Sequence, residues 1–206
     1  MSEEIDISKR HFLTVATVVV GSVGVVMAAV PFVSSMEPSA RAKSLGGPVD
    51  IDISKIEPGG MIKAKWRGKP AWVVQRPQTA LEQLPKNDSL LRDPNCNEPQ
   101  QPPYAQNEWR SIKPGLFVVI GICTHLGCSP LYVPQPGDPS VGASWPGGFF
   151  CPCHGSKYDL AGRVFRNVPA PLNLPVPRHY YASDKVVRIG EDPKGSNSSW
   201  KEPLVW

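Results

Sequence analysis

Two short segments of the sequence concentrate the side chains that could bind a metal or form a disulfide. The first runs from Cys123 to Cys128 with the sequence CTHLGC, and the second runs from Cys151 to Ser156 with the sequence CPCHGS. Thiolate sulfur and imidazole nitrogen are ligands that both zinc and iron–sulfur clusters use in proteins. Two such segments from one domain can close a four-ligand site, so the sequence predicts a metal centre with mixed cysteine and histidine ligands.

In the second segment, the spacing indicates which of the two cysteines can share a metal with the histidine. Cys153 and His154 are adjacent, so their side chains diverge, whereas Cys151 and His154 are three residues apart and can converge on one ion. The first segment also has two cysteines for one histidine, and the spacing leaves open which of them is the ligand. Ligand types alone favour zinc, but the spare cysteines suggest a disulfide between the loops, which a simple zinc site does not need.

The two segments resemble those of the Rieske iron–sulfur subunit of cytochrome bc1 complexes, in which CTHLGC is followed by CPCHGSxYD. The resemblance extends to the later residues 162–163 and 169–172 and to the N-terminal region. It implies a [2Fe–2S] cluster, with Cys128 and Cys153 joined in a disulfide. The implied ligands are Cys123 and Cys151 on one iron and His125 and His154 on the other.

The same resemblance assigns roles to the residues around the implied cluster. Two neutral imidazoles in place of two thiolates make a cluster less negative, so it accepts an electron more readily. Ser156 and Tyr158 stand where the family places hydroxyls that hydrogen-bond a bridging sulfide and a cysteine sulfur, which raises the potential further. Histidine ligands couple electrons to protons, and the resemblance assigns the contact with quinol to His154, with His125 less favoured.

The resemblance implies an electron-transfer subunit of a quinol–cytochrome c oxidoreductase, an enzyme that contributes to proton translocation. The cluster would accept an electron from ubiquinol and pass it to cytochrome c1, in a dimeric complex that also contains cytochrome b. The alternatives are the Rieske subunit of another exported oxidoreductase such as arsenite oxidase, a soluble ferredoxin, and a non-redox structural zinc domain. The spare cysteines and the two hydroxyls favour the quinol-linked protein.

An uncharged stretch near the N-terminus is long enough to cross a membrane. No charged residue occurs from Phe12 to Met36, and about 20 apolar residues of helix span a hydrocarbon core. We predict a twin-arginine-like segment at 1–11 and a transmembrane anchor at 12–33, which argues against the soluble ferredoxin. A cleaved signal peptide is the alternative, with residues 40–42 as the cleavage site, but its apolar region should be shorter.

The residues that precede this span indicate export of the rest of the chain. The sequence SKRHFL at 8–13 resembles a twin-arginine signal with lysine in the first basic position. That pathway carries folded, cofactor-loaded domains across the membrane. We therefore predict a single-pass protein of a bacterial inner membrane, with a cytoplasmic N-terminus and a periplasmic C-terminal domain. The formal charge of +4, without a block of lysine and arginine, makes nucleic-acid binding a poor interpretation.

The composition predicts a β-rich domain after the span. The 24 prolines and 18 glycines disfavour long helices. Residues 34–47 are small and polar and predict a flexible hinge linker, and residues 48–206 predict the Rieske domain, with a cluster-binding subdomain at about 121–172. The expected fold is a mainly β, Rieske-type antiparallel β-sandwich with a small cluster-binding subdomain, preceded by one transmembrane helix.

Apolar runs and alternating patterns give the expected elements of that domain. A short helix is expected at 79–84. Residues 85–115 are polar and proline-rich, so they predict a surface insertion in which Cys96 is a free structural thiol. Strands are predicted at 49–53, 61–66, 71–74, 116–120, 149–150, 180–181 and 186–189, the first three as antiparallel strands.

A proline-containing segment and two leucines are expected to lie around the metal centre. The segment 169–171, Pro-Ala-Pro, should cover the cluster and exclude water from it. Leu126 and Leu131 would form an apolar tip beside the quinol pocket, or would pack beneath the loops; for Leu126 the docking role is favoured. His11 and His179 lie outside both segments and are left unassigned.

Overall fold

A computed structural model describes residues 6–40, 42, 46–196, 200, 201 and 203 of the chain. The chain divides into two compact units, residues 1–44 and 45–206. The described part of the first unit consists mainly of one long helix, and that of the second consists mainly of small β-sheets. The mainly β fold class with an N-terminal apolar helix is therefore confirmed.

Helix α1 runs from Ile7 to Ser35. The Asp6 carboxylate caps its first turn by accepting the amides of Ser8 and Lys9 at 3.1 Å. The 29 residues extend about 44 Å at 1.5 Å per residue, and no side chain of this apolar helix is buried within the protein. By length and composition α1 could span a membrane, and the predicted anchor at 12–33 lies wholly inside it.

The predicted linker at 34–47 has different structural bounds. Residues 34–35 continue α1, and the carbonyl oxygen of Gly47 is hydrogen-bonded to the folded unit that follows. Residues 41 and 43–45 of the linker lie outside the described residues. Both ends of the predicted linker therefore belong to the structured units that flank it.

The described part of the second unit contains nine strands in three antiparallel sheets. The first sheet has the order β1 (Val49–Asp52), β9 (Val186–Ile189) and β8 (His179–Ser183). The second has the order β2 (Met61–Trp66), β3 (Lys69–Gln75) and β4 (Leu116–Ile120). The third has the order β5 (Leu131–Val133), β6 (Gly148–Cys151) and β7 (Ser156–Tyr158). The first three predicted strands exist, but β1 pairs with β9 instead of β2. The sequence did not predict this pairing, because an alternating pattern indicates a strand and not its partner.

Strands β3 and β4 of the middle sheet are buried on both faces. Ala71 and Val73 of β3 pack in an apolar layer shared with β1 and β9. Trp72, which alternates with them, packs in a second layer that contains the buried cysteines of both metal-binding segments. Burial on both faces explains why β3 and β4 are nearly continuous apolar runs, and it gives the metal-binding segments a rigid support.

The segment between β3 and β4 departs most from the sequence-based expectation. It contains α2 (Gln78–Gln83), which confirms the predicted short helix, and two 3₁₀ helices, Pro85–Leu90 and Pro103–Ala105. The prediction that 85–115 is a surface insertion holds only in part, because about a third of its side chains are buried and the others are exposed or half-buried. The buried members are Asn87, Leu91, Cys96, Gln100, Gln101, Pro102, Ala105, Arg110 and Ser111.

Candidate metal centre

Each metal-binding loop begins at or just after the end of a buried strand. Cys123 comes three residues after β4, and Cys151 is the last residue of β6. Four residues beyond each cysteine a glycine has positive φ, 82° at Gly127 and 74° at Gly155. The glycine amide bonds back to the cysteine carbonyl at 3.1 Å and 2.9 Å, respectively. Because other residues rarely adopt this conformation, glycine allows both loops to fold back over their cysteines.

A disulfide joins the two loops through Cys128 and Cys153, whose Cα atoms are 6.7 Å apart. The structure therefore contains the predicted bond. The sulfurs of Cys128, Cys151 and Cys153 lie within 4.8 Å of one another, but sulfurs in a disulfide are not available as thiolate ligands. Cys123 and Cys151 remain as free, buried thiols at this site.

The two free thiols contact each other, and so do the two imidazole rings. Burial raises the pKa of the Cys151 thiol, and contact with the Cys123 thiol raises it further. The rings of His125 and His154 are perpendicular, at 85°, with centroids 4.7 Å apart.

The two histidines differ in exposure, because His154 is exposed whereas Nδ1 of His125 is buried and has no hydrogen-bond partner among the described residues. An unpartnered buried polar atom costs about 1–3 kcal/mol. A metal bound at Nδ1 would remove that cost. Two buried thiols and two imidazoles therefore fit the mixed ligand set of a Rieske [2Fe–2S] cluster.

Tyr158 lies against the first cysteine. Its hydroxyl is 3.1 Å from Cys123 Sγ and accepts the Thr124 amide at 3.2 Å, while Thr124 Oγ1 lies 3.3 Å away. Burial raises the pKa of Tyr158, so the phenol keeps its proton. The oxygen accepts from the amide, so the phenol proton can be donated to Cys123 Sγ or to Thr124 Oγ1.

Ser156 and Thr124 both bind the Pro-Ala-Pro segment at 169–171 or the residue after it. Ser156 Oγ is buried and accepts the Ala170 amide at 3.1 Å. Thr124 Oγ1 donates to the Leu172 carbonyl at 2.7 Å. These bonds fix the segment against β7 and the first loop. Thr124 was not predicted as a functional residue, although its position between a cysteine and a histidine could have indicated it.

The side chain of Leu126 projects from the first loop and is 67% exposed, and that of Leu131 in β5 is 53% exposed. From residue 46 onward, Leu126 is the most exposed large hydrophobic side chain of the described chain. The alternative in which Leu126 and Leu131 pack beneath the loops is wrong.

The two unassigned histidines lie elsewhere. His11 is on the exposed surface of α1. His179 is fully buried in β8, with Nδ1 2.8 Å from the carbonyl oxygen of Pro177. Burial lowers the pKa of His179 to about 4, so its ring is neutral. Neither histidine joins the metal-binding loops.

A second group of polar residues, which the sequence did not predict, lies behind β7. Arg76, Arg110 and Arg163 are buried, and their guanidinium groups converge on the turn 159–162 that follows β7. Buried Asp159 pairs with Arg163 at 2.8 Å. We call these four residues the arginine cluster. Their bonds join residues up to 84 positions apart, so no local spacing could have indicated them.

Comparisons with known families match both parts of the chain. Residues 1–39 match the family described as "Ubiquitinol-cytochrome C reductase Fe-S subunit TAT signal". Residues 105–178 match the "Rieske [2Fe-2S] domain". The second range contains both metal-binding loops, Ser156 and Tyr158.

Curated relatives extend the similarity to most of the chain. The "Ubiquinol-cytochrome c reductase iron-sulfur subunit" of Allochromatium vinosum is 58% identical over 184 residues, which cover 89% of each protein. The protein of the same name from Blastochloris viridis is 40% identical over 92% of this chain and 96% of its own. The "Cytochrome b-c1 complex subunit Rieske-4, mitochondrial" of Nicotiana tabacum is 41% identical over 77% of this chain and 59% of its own.

Proposed function

Since the chain belongs to the family of ubiquinol–cytochrome c reductase iron–sulfur subunits, we propose that its Rieske cluster is held by Cys123, His125, Cys151 and His154. The protein is an electron-transfer subunit of a quinol–cytochrome c oxidoreductase. The relatives favour this function over the arsenite oxidase and structural zinc alternatives. The observation that carries the ligand assignment is the gathering of two buried thiols and two perpendicular imidazoles in disulfide-linked loops.

When bound, the cluster supplies a one-electron acceptor of high potential, about −150 to +300 mV against about −400 mV for plant-type ferredoxins. Two residues of this chain would raise that potential further. Tyr158 can donate its phenol proton to Cys123 Sγ, a bond that strengthens as the sulfur becomes more negative. Ser156 accepts from Ala170 and keeps its own proton free, and we assign that proton to a bridging sulfide.

We assign the contact with quinol to His154, with His125 less favoured. The side chain of His154 is exposed, whereas Nδ1 of His125 is buried. We assign the metal-binding nitrogen of His154 to Nδ1, as for His125. Its Nε2 would then accept the quinol proton. Exposed Leu126 would contact the apolar walls of the quinol pocket.

We further propose that the chain works in a dimeric complex with cytochrome b and cytochrome c1 and that ubiquinol is the electron donor. The names of the relatives support this, because one is a ubiquinol–cytochrome c reductase subunit and another is a cytochrome b-c1 complex subunit. The predicted hinge at 34–47 would allow the Rieske domain at 48–206, with its cluster-binding subdomain at about 121–172, to visit both cytochromes.

The protein is a membrane-anchored subunit, and we propose a bacterial inner membrane with the N-terminus in the cytoplasm and residues 45–206 in the periplasm. The match of residues 1–39 to a twin-arginine signal family supports export of the folded unit. The disulfide supports the same orientation, because disulfides persist in oxidising compartments.

Electron paramagnetic resonance of the reduced full-length protein tests the ligand assignment. We expect the low average g-value of a histidine-ligated cluster, together with iron and acid-labile sulfide in equal amounts. Cys151→Ser should abolish the signal. Cys96→Ser is the matched control and should keep it, because Cys96 is a buried free thiol outside both loops. Stoichiometric zinc without acid-labile sulfide would overturn the proposal.

A further inference from the structure

The arginine cluster contains more positive than negative charge. Arg163 forms ion pairs of 2.8 Å with buried Asp159 and with exposed Asp88. Arg76 and Arg110 form no ion pair with any carboxylate of the described residues. The interior behind β7 therefore holds two positive charges without paired carboxylates.

Arg110 keeps its charge inside the protein because neutral oxygens satisfy its donors. Nη1 donates to the carbonyls of Ala161 and Gly162 at 3.0 and 3.2 Å. Nη2 donates to the Leu174 carbonyl at 2.8 Å, and Nε donates to Gln101 Oε1 at 3.1 Å. The side chain is fully buried, and a guanidinium bonded in this way remains protonated.

Arg76 is held in the same manner. Its Nη2 donates to the Pro114 carbonyl at 2.6 Å and to Ser111 Oγ at 2.7 Å. Burial lowers the pKa of Arg76 to about 9, which leaves the group charged at neutral pH. The guanidinium carbon lies 5.0 Å from the centre of the Phe117 ring.

Both guanidinium groups border the apolar layer that contains the cysteine ligands. Phe117, on which Arg76 lies, belongs to that layer. Leu174, whose carbonyl Arg110 binds, belongs to it as well. Charges interact more strongly across an apolar interior than across water, and salt screens buried charges little.

We propose that Arg76 and Arg110 raise the midpoint potential of the cluster, because a buried positive charge favours the reduced state, which carries one more negative charge. The proposal rests on the proposed ligand set. It adds a longer-range electrostatic contribution to the hydrogen bonds of Ser156 and Tyr158. Buried Asp159 has the opposite charge and lowers the potential.

Redox titration of the full-length protein, followed by paramagnetic resonance, tests the proposal through the sign of the shift. Arg76→Gln should lower the midpoint potential and Asp159→Asn should raise it, because the two variants change the buried charge in opposite directions. Lys86→Gln is the control for charge without burial, since Lys86 is exposed, and it should leave the midpoint unchanged. Shifts of the same sign, or none in variants that keep the cluster signal, would overturn the proposal.

Arg110 provides an independent test with two substitutions. Arg110→Lys keeps the charge and should keep a midpoint near that of the wild type, whereas Arg110→Met should lower it. An equal decrease in both variants would show that hydrogen bonding, and not charge, sets the effect. If Arg110→Met fails to accumulate, Asp159→Asn still decides, because loss of a buried negative charge should raise the potential and an unchanged or lowered potential would contradict the proposal.

A double-mutant cycle separates charge from displacement of Tyr158. The shifts of Arg76→Gln and Tyr158→Phe should add if the arginine acts through its charge. If Arg76→Gln has no further effect in the Tyr158→Phe background, the arginine acts through the tyrosine and the proposal is wrong. A wild-type protein without the histidine-ligated signal would instead refute the proposed ligand set, so the two failures can be told apart.

Discussion

The metal-binding loops and the arginine cluster both gather polar side chains in the unit at 45–206, but they leave those side chains in opposite states. In the loops, Nδ1 of His125 has no hydrogen-bond partner among the described residues, and the thiols of Cys123 and Cys151 are not in a disulfide. In the arginine cluster, the guanidinium of Arg110 donates to oxygens from each of its nitrogens. An unpaired buried polar atom is costly, so the one of His125, beside two free thiols, indicates a site that another group completes, whereas the fully paired guanidinium of Arg110 indicates internal structure.

The largest expected effect comes from breaking the fully paired region. Arg110→Met should lower the free energy of unfolding by about 4 kcal/mol, because several buried oxygens lose their donors together. Denaturant unfolding of the full-length protein measures this change. Arg92→Met is the control, because Arg92 is exposed and its guanidinium contact with Pro171 is 3.5 Å long. Its effect should stay within about 0.5 kcal/mol, and equal losses in the two variants would contradict the comparison.

The metal-binding loops should respond to the loss of their covalent link. Replacing both Cys128 and Cys153 by serine should lower the free energy of unfolding by about 3.5 kcal/mol, because the bond closes a loop with a sequence separation of 25. Denaturant unfolding with and without dithiothreitol checks this. Reductant should destabilise the wild type and leave the double variant unchanged; a double variant as stable as the wild type would show that the bond contributes nothing.

His179 shows the cost of an unpaired buried atom outside the metal-binding loops. Its buried Nε2 also lacks a hydrogen-bond partner among the described residues. Its pKa in the folded protein, about 4, lies below the ordinary value of 6.5, so the unfolded chain binds the proton first. The contribution of His179 to the free energy of unfolding is therefore fully present above pH 6.5. It falls by about 3 kcal/mol as the pH drops to 4. Unfolding measured between these pH values should show this loss in the wild type and not in His179→Asn. An equal slope in both proteins would contradict the assignment.

The smallest expected effects are those of the hydroxyls beside the metal-binding loops. Ser156→Ala and Tyr158→Phe should each lower the midpoint potential by about 40 mV, equivalent to about 1 kcal/mol for one electron, without loss of the cluster. Tyr132→Phe is the matched control, because its hydroxyl bonds to the Gly59 carbonyl away from the loops, and it should not shift the midpoint. Unchanged potentials in both test variants would remove the assigned tuning role.

The sequence predicted the metal-binding loops well because their information is local. Each loop is a segment of six residues in which a cysteine, a histidine and a turning glycine stand at short spacing. The apolar runs in β3 and β4 predicted both strands. The pairing of β1 with β9 could not be predicted, because Val49 and its partner Ile189 are far apart in the chain and an alternating pattern does not specify the opposite strand.

By itself, the sequence determined the ligand types, the loops that present them and an apolar segment long enough to span a membrane. Only the tertiary structure decided which side chains of 85–115 are buried and that Thr124 binds the Leu172 carbonyl. The physical reason is that a charged side chain such as Arg110 can be buried only where its donors meet oxygens. Those oxygens belong to residues up to 64 positions away for Arg110 and come together only when the chain has folded.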